Sequence, residues 1–186
     1  MAVGIYDMCL LPDFPALTED QLNSITLSGS VTTVLSAAHE EAPADANSSS
    51  SNSSSSSNTS VTTWSSGGTD VTDDKQVQGI VKQVLGLSLD ACVDYRPTDD
   101  AAALCGFDKP DAVITVKYTG EGSADETLTL TVGGRVLDGD GRYVRMNDDT
   151  TVYRMTADKL DMLMKVSVNG LESSPASSDS TASSAG

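Results

Sequence analysis

The sequence predicts an α+β fold: an antiparallel β-meander packed against one or two amphipathic helices. Three observations carry this. Thr127–Val132 (TLTLTV) alternates without a break, the mark of a strand with one buried face. Val77, Ile80, Val81, Val84 and Leu85 recur at helical spacing and form one apolar stripe. Four extended runs follow one another between Asp111 and Met155 with short turns between them, which favours antiparallel neighbours.

In chain order, Ser24–Ser28 alternates with Ile25 and Leu27 on one side, Gly29–Ser30 makes a turn, and Val31–Ala38 returns as a second strand. Residues 41–60 are almost wholly Ser, Asn, Ala and acid, bury nothing, and are expected to be a disordered insert in this hairpin. Asn47, Asn52 and Asn58 fit the N-glycosylation pattern, but chance matches are common in a Ser-rich tract. Val61–Ser65 resumes the sheet, with the single tryptophan, Trp64, on it, and Gly67–Gly68 ends it.

The helix that follows is expected to be capped by Thr72, with Asp73 and Asp74 in its first turn and Gly86 loosening its end. Leu89–Tyr95 reads as extended, and Thr98 caps a short helical turn over Ala101–Leu104. Gly106 lets the chain reverse and Pro110 opens the strand Asp111–Thr119, where Ile114, Val116 and Tyr118 share a face. Arg142–Met146 and Thr150–Met155 complete the meander. Thr156 caps a last helix to about Val168, with Leu160, Leu163 and Met164 inward. The tail from Ser173 is expected to be disordered. The predicted organisation is therefore 1–15 as remnant of a preceding unit or linker, 16–170 as the α+β domain, and 171–186 as tail.

Composition narrows the function. Eleven basic residues stand against 27 acidic ones, for a net charge of −16 over 186 residues. Such a surface repels phosphate backbones, so no nucleic-acid partner is expected. Every Lys and Arg lies between Lys75 and Lys165, so the start of the chain has neither the basic region of a secretory signal nor an Arg-rich transit peptide. No apolar run reaches the ~18 residues a membrane helix needs.

No catalytic constellation is legible. His39 is the only imidazole and borders the Ser-rich insert, with no G-x-S-x-G elbow to accompany it. There is no P-loop and no G-x-G-x-x-G, and one His with three Cys cannot make a four-ligand zinc site without carboxylates, so no cofactor or metal is expected. Asp138-Gly139-Asp140-Gly141 lacks the Gly and Glu of a calcium loop at the required positions and reads as a hairpin turn. Cys92 and Cys105 are a disulfide candidate across a chain reversal. A bridge would indicate an oxidising compartment, and two small buried thiols are the alternative. Cys9 is then left unpaired. Trp64 and Tyr95 are candidates for stacking a ligand, against a plain core role for Trp64.

The stretches VTTW, VTDDKQVQGIVKQVLGLSLDACVDY, AAALCGFDKPDAVITVKY, TLTLTVGG and GRYVRMNDDTTVYRM resemble, over about residues 16–170, domain-of-unknown-function family 4340. The resemblance rests on the turn Cys105-Gly106-Phe107-Asp108-Lys109-Pro110, the strand Leu130-Thr131-Val132-Gly133, and the pairs Tyr143-Val144 and Val152-Tyr153. It implies an extracytoplasmic bacterial protein held at the membrane by an upstream anchor, of which this chain would be the C-terminal portion. Some relatives of this kind accompany ABC transporters. The family has no agreed catalytic residues, so none is carried over. The expectation is a non-enzymatic envelope module for assembly or binding with protein partners, with Gly106, Asp108 and Pro110 as a structural turn. The alternative is a glycan- or peptide-binding surface module using exposed aromatics such as Trp64 and Tyr95.

Overall fold

A bulge sets the first strand. In the computed structural model, which describes residues 11, 14–41, 60–137 and 139–172, β1 (Leu22–Ser28) pairs antiparallel with both β2 (Thr32–Glu41) and β6 (Ala112–Thr119). Leu22 faces Tyr118 while Ser24 faces Lys117, so Asn23 is the extra residue. The bulge turns Leu22 and Ile25 onto the same buried face despite their odd spacing. The alternation predicted for 24–28 therefore gains a core residue that strict period two does not reach.

The remaining strands are β3 (Ser60–Ser66), β4 (Thr69–Asp70), β5 (Ala91–Asp94), β7 (Asp125–Arg135), β8 (Gly141–Met146) and β9 (Val152–Thr156). All nine join one antiparallel sheet in the order β4-β3-β2-β1-β6-β7-β8-β9-β5. The predicted meander is the run β6 to β9. Gly67 and Gly68, both at positive φ, do not end the sheet but turn the chain into the two-residue β4. β5 crosses back to pair with β9 at the far edge.

Register assigns the two faces. Leu35, Ile25, Val116 and Leu128 are aligned across β2, β1, β6 and β7, and Leu27, Ile114 and Leu130 form the next row. These residues are buried. On the opposite face Val34, Thr26, Thr115 and Thr129 align, and all are at least partly open to solvent.

Two helices cover the apolar face. In α1 (Lys75–Leu85) Val77, Ile80, Val81 and Val84 enter the same core cluster as the sheet. In α3 (Ala157–Asn169) Leu160, Leu163, Met164 and Val166 do so, and α3 packs on β1, β2, β6 and β9 as well as on α1. Gly79, costly in a helix interior, sits where a Cβ would lie 3.2 Å from the Met162 methyl, so its absence lets the helices approach. The Gln83 amide links them further, donating to Asp158 O (3.1 Å) and accepting from Leu163 N (3.2 Å).

The caps differ from expectation. Asp74, not Thr72, is the N-cap of α1 and accepts from Gln76 N (2.8 Å). Thr72 is engaged by β3 and the preceding turn: its hydroxyl accepts from Trp64 N (2.9 Å) and donates to Asp70 Oδ1 (2.6 Å). Thr156 starts α3 without a side-chain cap of its own. Thr98 does cap the short α2 (Asp99–Leu104), accepting from Ala101 N (3.3 Å). The Ser-rich tract 42–59, the residues from 173 onward and Cys9 lie outside the described residues.

Candidate functional site

The Cys105–Pro110 turn closes α2 with both hydrogen bonds of a Schellman motif. Gly106 N donates to Ala103 O (3.0 Å) and Phe107 N to Ala102 O (3.1 Å). Gly106 takes φ +83°. The turn is then seated on β7: Gly134 N donates to Cys105 O (2.7 Å), a Cβ on Gly106 would meet Gly134 N at 2.7 Å, and one on Gly133 would collide with Cys105 O. Two motif segments far apart in sequence are thus two halves of one contact. Phe107 lies under the Arg145 guanidinium, 4.3 Å from carbon to ring centre. Arg142 donates to Asp111 and to Gly133 O (3.2 Å), fixing the strand that Pro110 launches. Asp108 is exposed and accepts only from its neighbour, Lys109 N (3.0 Å).

The cysteines correct an expectation. Cys105 is a free thiol and Cys92 is disulfide-bonded, so Cys92 and Cys105 are not joined. The reason is valence: a sulfur forms one disulfide, and Cys92 already has its bridge. Burial pushes the Cys105 thiol up, Arg145 partly offsets this, and Asp94 adds to it.

Nor do the two stacking candidates come together. Trp64 is 2% exposed on β3, and its indole N–H donates to Glu19 Oε1 (3.0 Å). No ring face is open, so Trp64 is a core residue. Tyr95 is 52% exposed, with Arg96 5.4 Å from its ring centre, but follows β5 at the other end of the sheet. Tyr118 and Tyr153 are buried. Tyr118 donates to Glu126 (2.7 Å), which pushes its phenol up to about 12, and burial then the bond to Asp149 raise that of Tyr153.

The displaced carboxylates hold backbone. Burial pushes Asp90 up, but the hydrogen bonds from Lys159 and from the Thr156 hydroxyl and N–H outweigh it and leave the group below its ordinary value. Asp90 thereby supplies the cap that α3 lacks, accepting from Thr156 N at 2.6 Å. Asp149 is lowered chiefly by Thr151 N and lies 3.0 Å from the Tyr153 hydroxyl. Asp70 is lowered by the Thr72 hydroxyl and N–H. His39 is tied down as well: Nε2–H donates to Leu22 O (2.9 Å), which leaves Nδ1 to accept from the Thr62 hydroxyl (3.1 Å). Among the described residues no three His, Cys, Asp or Glu side chains come together as a metal site, and Asp138 lies outside them.

One cleft gathers cations. It holds about 390 Å³ between the β7–β8 loop and the outer stripe of α3. Arg135, Arg142 and Lys165 line it, with Asp140 and Asp161, over an apolar floor that includes Met164 and Val168. The loop is tied to the helix by Ala157 N donating to Asp140 O (2.8 Å). Sequence reasoning missed this site. Its three cations come from three elements, and the one available signal was the spacing of Asp161, Lys165 and Val168 along one side of α3.

The geometry defines a two-layer α+β module with an antiparallel sheet, a helical cover on one face and a small charged cleft at one end. The chain belongs to the family described as Domain of unknown function (DUF4340), whose model matches residues 67–167, just over half of its length. No curated protein and no solved structure matches it. The family segment is shorter than the 16–170 of the resemblance: β1, β2 and β3 precede it, although β1 lies in the middle of the sheet.

Proposed function

We propose that the chain is a non-catalytic, extracytoplasmic module of a bacterial envelope protein, working by binding or assembly with protein partners and serving as an accessory to an ABC transporter. The observation that carries the compartment is the disulfide at Cys92, since such bonds persist in oxidising surroundings and are rare in the cytosol. The non-catalytic reading is supported by what the displaced carboxylates do. Asp70, Asp90 and Asp149 are each committed to backbone N–H groups and hydroxyls of the scaffold. The reading includes membrane attachment through an upstream anchor; among the described residues no helix is long and apolar enough to cross a bilayer.

The test uses the full-length protein in bacterial cells. A membrane-impermeant protease should remove the module from intact cells or spheroplasts, and Cys92 should resist alkylation until reductant is added. Protection until lysis, together with a Cys92 that alkylates without reductant, would end the extracytoplasmic reading. Crosslinking in the envelope should capture a transporter subunit, and capture of none would end the accessory role.

A further inference from the structure

We propose that the fork between β2 and the β3–β4 hairpin takes up an extended segment of a protein partner, one with small apolar side chains flanked by basic residues, as an added strand on the edge of β2. This names a partner for the binding role proposed above and rests on that role.

The argument begins with register. Gly29 N donates to Val31 O (3.1 Å), which fixes the alternation of the β1–β2 ladder. Thr33 and Leu35 turn their N–H and C=O groups to β1, and Thr32, Val34 and Ser36 turn theirs to the other side. Ser36 meets Ser65 there, in the last pair with β3. Beyond that pair β3 runs into Gly67 and Gly68 and returns as β4, so it reaches neither Val34 nor Thr32. These two residues present a short backbone edge, the template on which a strand is added.

Space and lining match an extended peptide. The fork holds about 410 Å³, at the small end of ligand clefts, which suits a short stretch of strand. Side chains of an added strand alternate, one set beside Val34 and the other over Val71 and Leu171. Val31 and Val34, 42% and 45% exposed, gain cover. No lining side chain is aromatic, so the fork lacks the stacking surface a sugar uses. The walls are fixed, because Val31 N donates to Ser167 O (2.9 Å) and Val71 N to Trp64 O (2.8 Å).

Charge selects the partner. No lining side chain is charged, but Asp70 and Glu172 adjoin lining residues, and the chain has no Lys or Arg before Lys75. Glu172 is in an open pair with Lys165 (3.3 Å), and Asp70 is bonded only to Thr72. A second copy would set −16 against −16, whereas basic flanks are attracted. The residues after Glu172 include no Val, Ile, Leu, Met or aromatic side chain with which to fill the fork.

The experiment follows the isotope-labelled, disulfide-intact full chain by NMR. In the protein alone the amides of Thr32 and Val34 should exchange with solvent quickly and those of Thr33 and Leu35 slowly. Three blocked peptides are then titrated: acetyl-Lys-Val-Thr-Val-Lys-amide, the same peptide N-methylated at its threonine and valines, and acetyl-Glu-Val-Thr-Val-Glu-amide. The first should give saturable shifts at Thr32, Val34 and Gly67 and protect the two fast amides. The N-methylated peptide should not bind, and the acidic one should bind more weakly. Val34→Pro, tolerated at a strand edge, should weaken binding about tenfold, the size of one backbone hydrogen bond. Val34→Lys, which keeps the N–H, should reverse the preference between the two charged peptides. Slow exchange at Val34 in the protein alone would mean that the chain already covers the fork, and concentration-dependent shifts there without peptide would mean a second copy. Either result, equal binding of the N-methylated peptide, or no saturable shift at millimolar peptide would overturn the proposal. A module that is exported with its Cys92 bridge yet ignores the basic peptide would sink the fork and leave the envelope role standing.

Discussion

Replacing Gly106, Gly133 and Gly67 one at a time by alanine separates the two costs that the Cys105–Pro110 turn imposes. Gly67 has φ +59° and open space around a Cβ, so Gly67→Ala meets only the backbone term. That term is about 1–2 kcal/mol, less about 0.4–1 kcal/mol because the unfolded chain becomes stiffer. Gly133 lies outside the left-handed region, but its Cβ would run into Cys105 O, a main-chain atom that cannot swing away. Gly133→Ala should therefore cost about 2–3 kcal/mol, in the range of overpacking a tight core. Gly106 carries both terms, φ +83° and a backbone contact at 2.7 Å, and should cost about 3–4 kcal/mol. Urea unfolding measures these values directly, and the Gly106 variant should lose about 6–15 °C in Tm. The double variant Gly106→Ala/Gly133→Ala should cost clearly less than the two singles together, because once the turn has lifted from β7 the second methyl meets nothing. Gly133→Ala as mild as Gly67→Ala, or full additivity in the double variant, would refute the idea that these two glycines form one seat.

Three further outcomes follow from the same contacts. Asp90 and Asp149 have folded-state values below their ordinary ones, so each contributes stability that is fully present above the unfolded value near pH 4 and is lost as pH falls through the folded value; Asp90→Asn should flatten the acid limb of a stability–pH curve measured by urea titration, and an unchanged limb would contradict the clasp on α3. Peptide mapping under denaturing, non-reducing conditions should find Cys105 alkylated and Cys92 protected, whereas a Cys92–Cys105 peptide pair would contradict the assignment. Trp64 is the only tryptophan and is buried, so fluorescence should be blue-shifted and resist acrylamide, and Trp64→Ala should cost about 3–5 kcal/mol by denaturant titration; an easily quenched indole would reopen the stacking role.

What could be read in the sequence was what depends on neighbours in the chain. Leu128, Leu130 and Val132 alternate in β7 as strand sterics require, and Val77, Ile80, Val81 and Val84 fix the buried stripe of α1, so both elements and their faces were legible. The seat under Gly106 was half legible: a glycine before Asp108 and Pro110 signals a turn, but its dependence on Gly133 and Gly134 is a contact across nearly thirty positions. The N-cap of α1 was misplaced because Thr72 and Asp74 are equally good cap residues locally, and what decides is the partnership of Thr72 with Trp64 on β3. The bridge was misassigned because spacing between Cys92 and Cys105 says nothing of competing partners. The cleft was invisible, since Arg135, Arg142 and Lys165 converge only once β7, β8 and α3 are folded together.

The account describes one cohesive unit in which the hairpin preceding the family segment is as structural as the segment itself. Leu22, Ile25, Leu27, Leu35 and Trp64 all lie before residue 67 and are buried, and β1 covers the edge of β6. Removing five such side chains forfeits about 1.5–3 kcal/mol each, as much as the whole stability of an ordinary domain. Residues 67–172 and residues 14–172 should be expressed side by side and unfolded in urea. The longer piece should give one cooperative transition, and the shorter none. A cooperative transition for residues 67–172 alone, with dispersed amide resonances, would contradict the account.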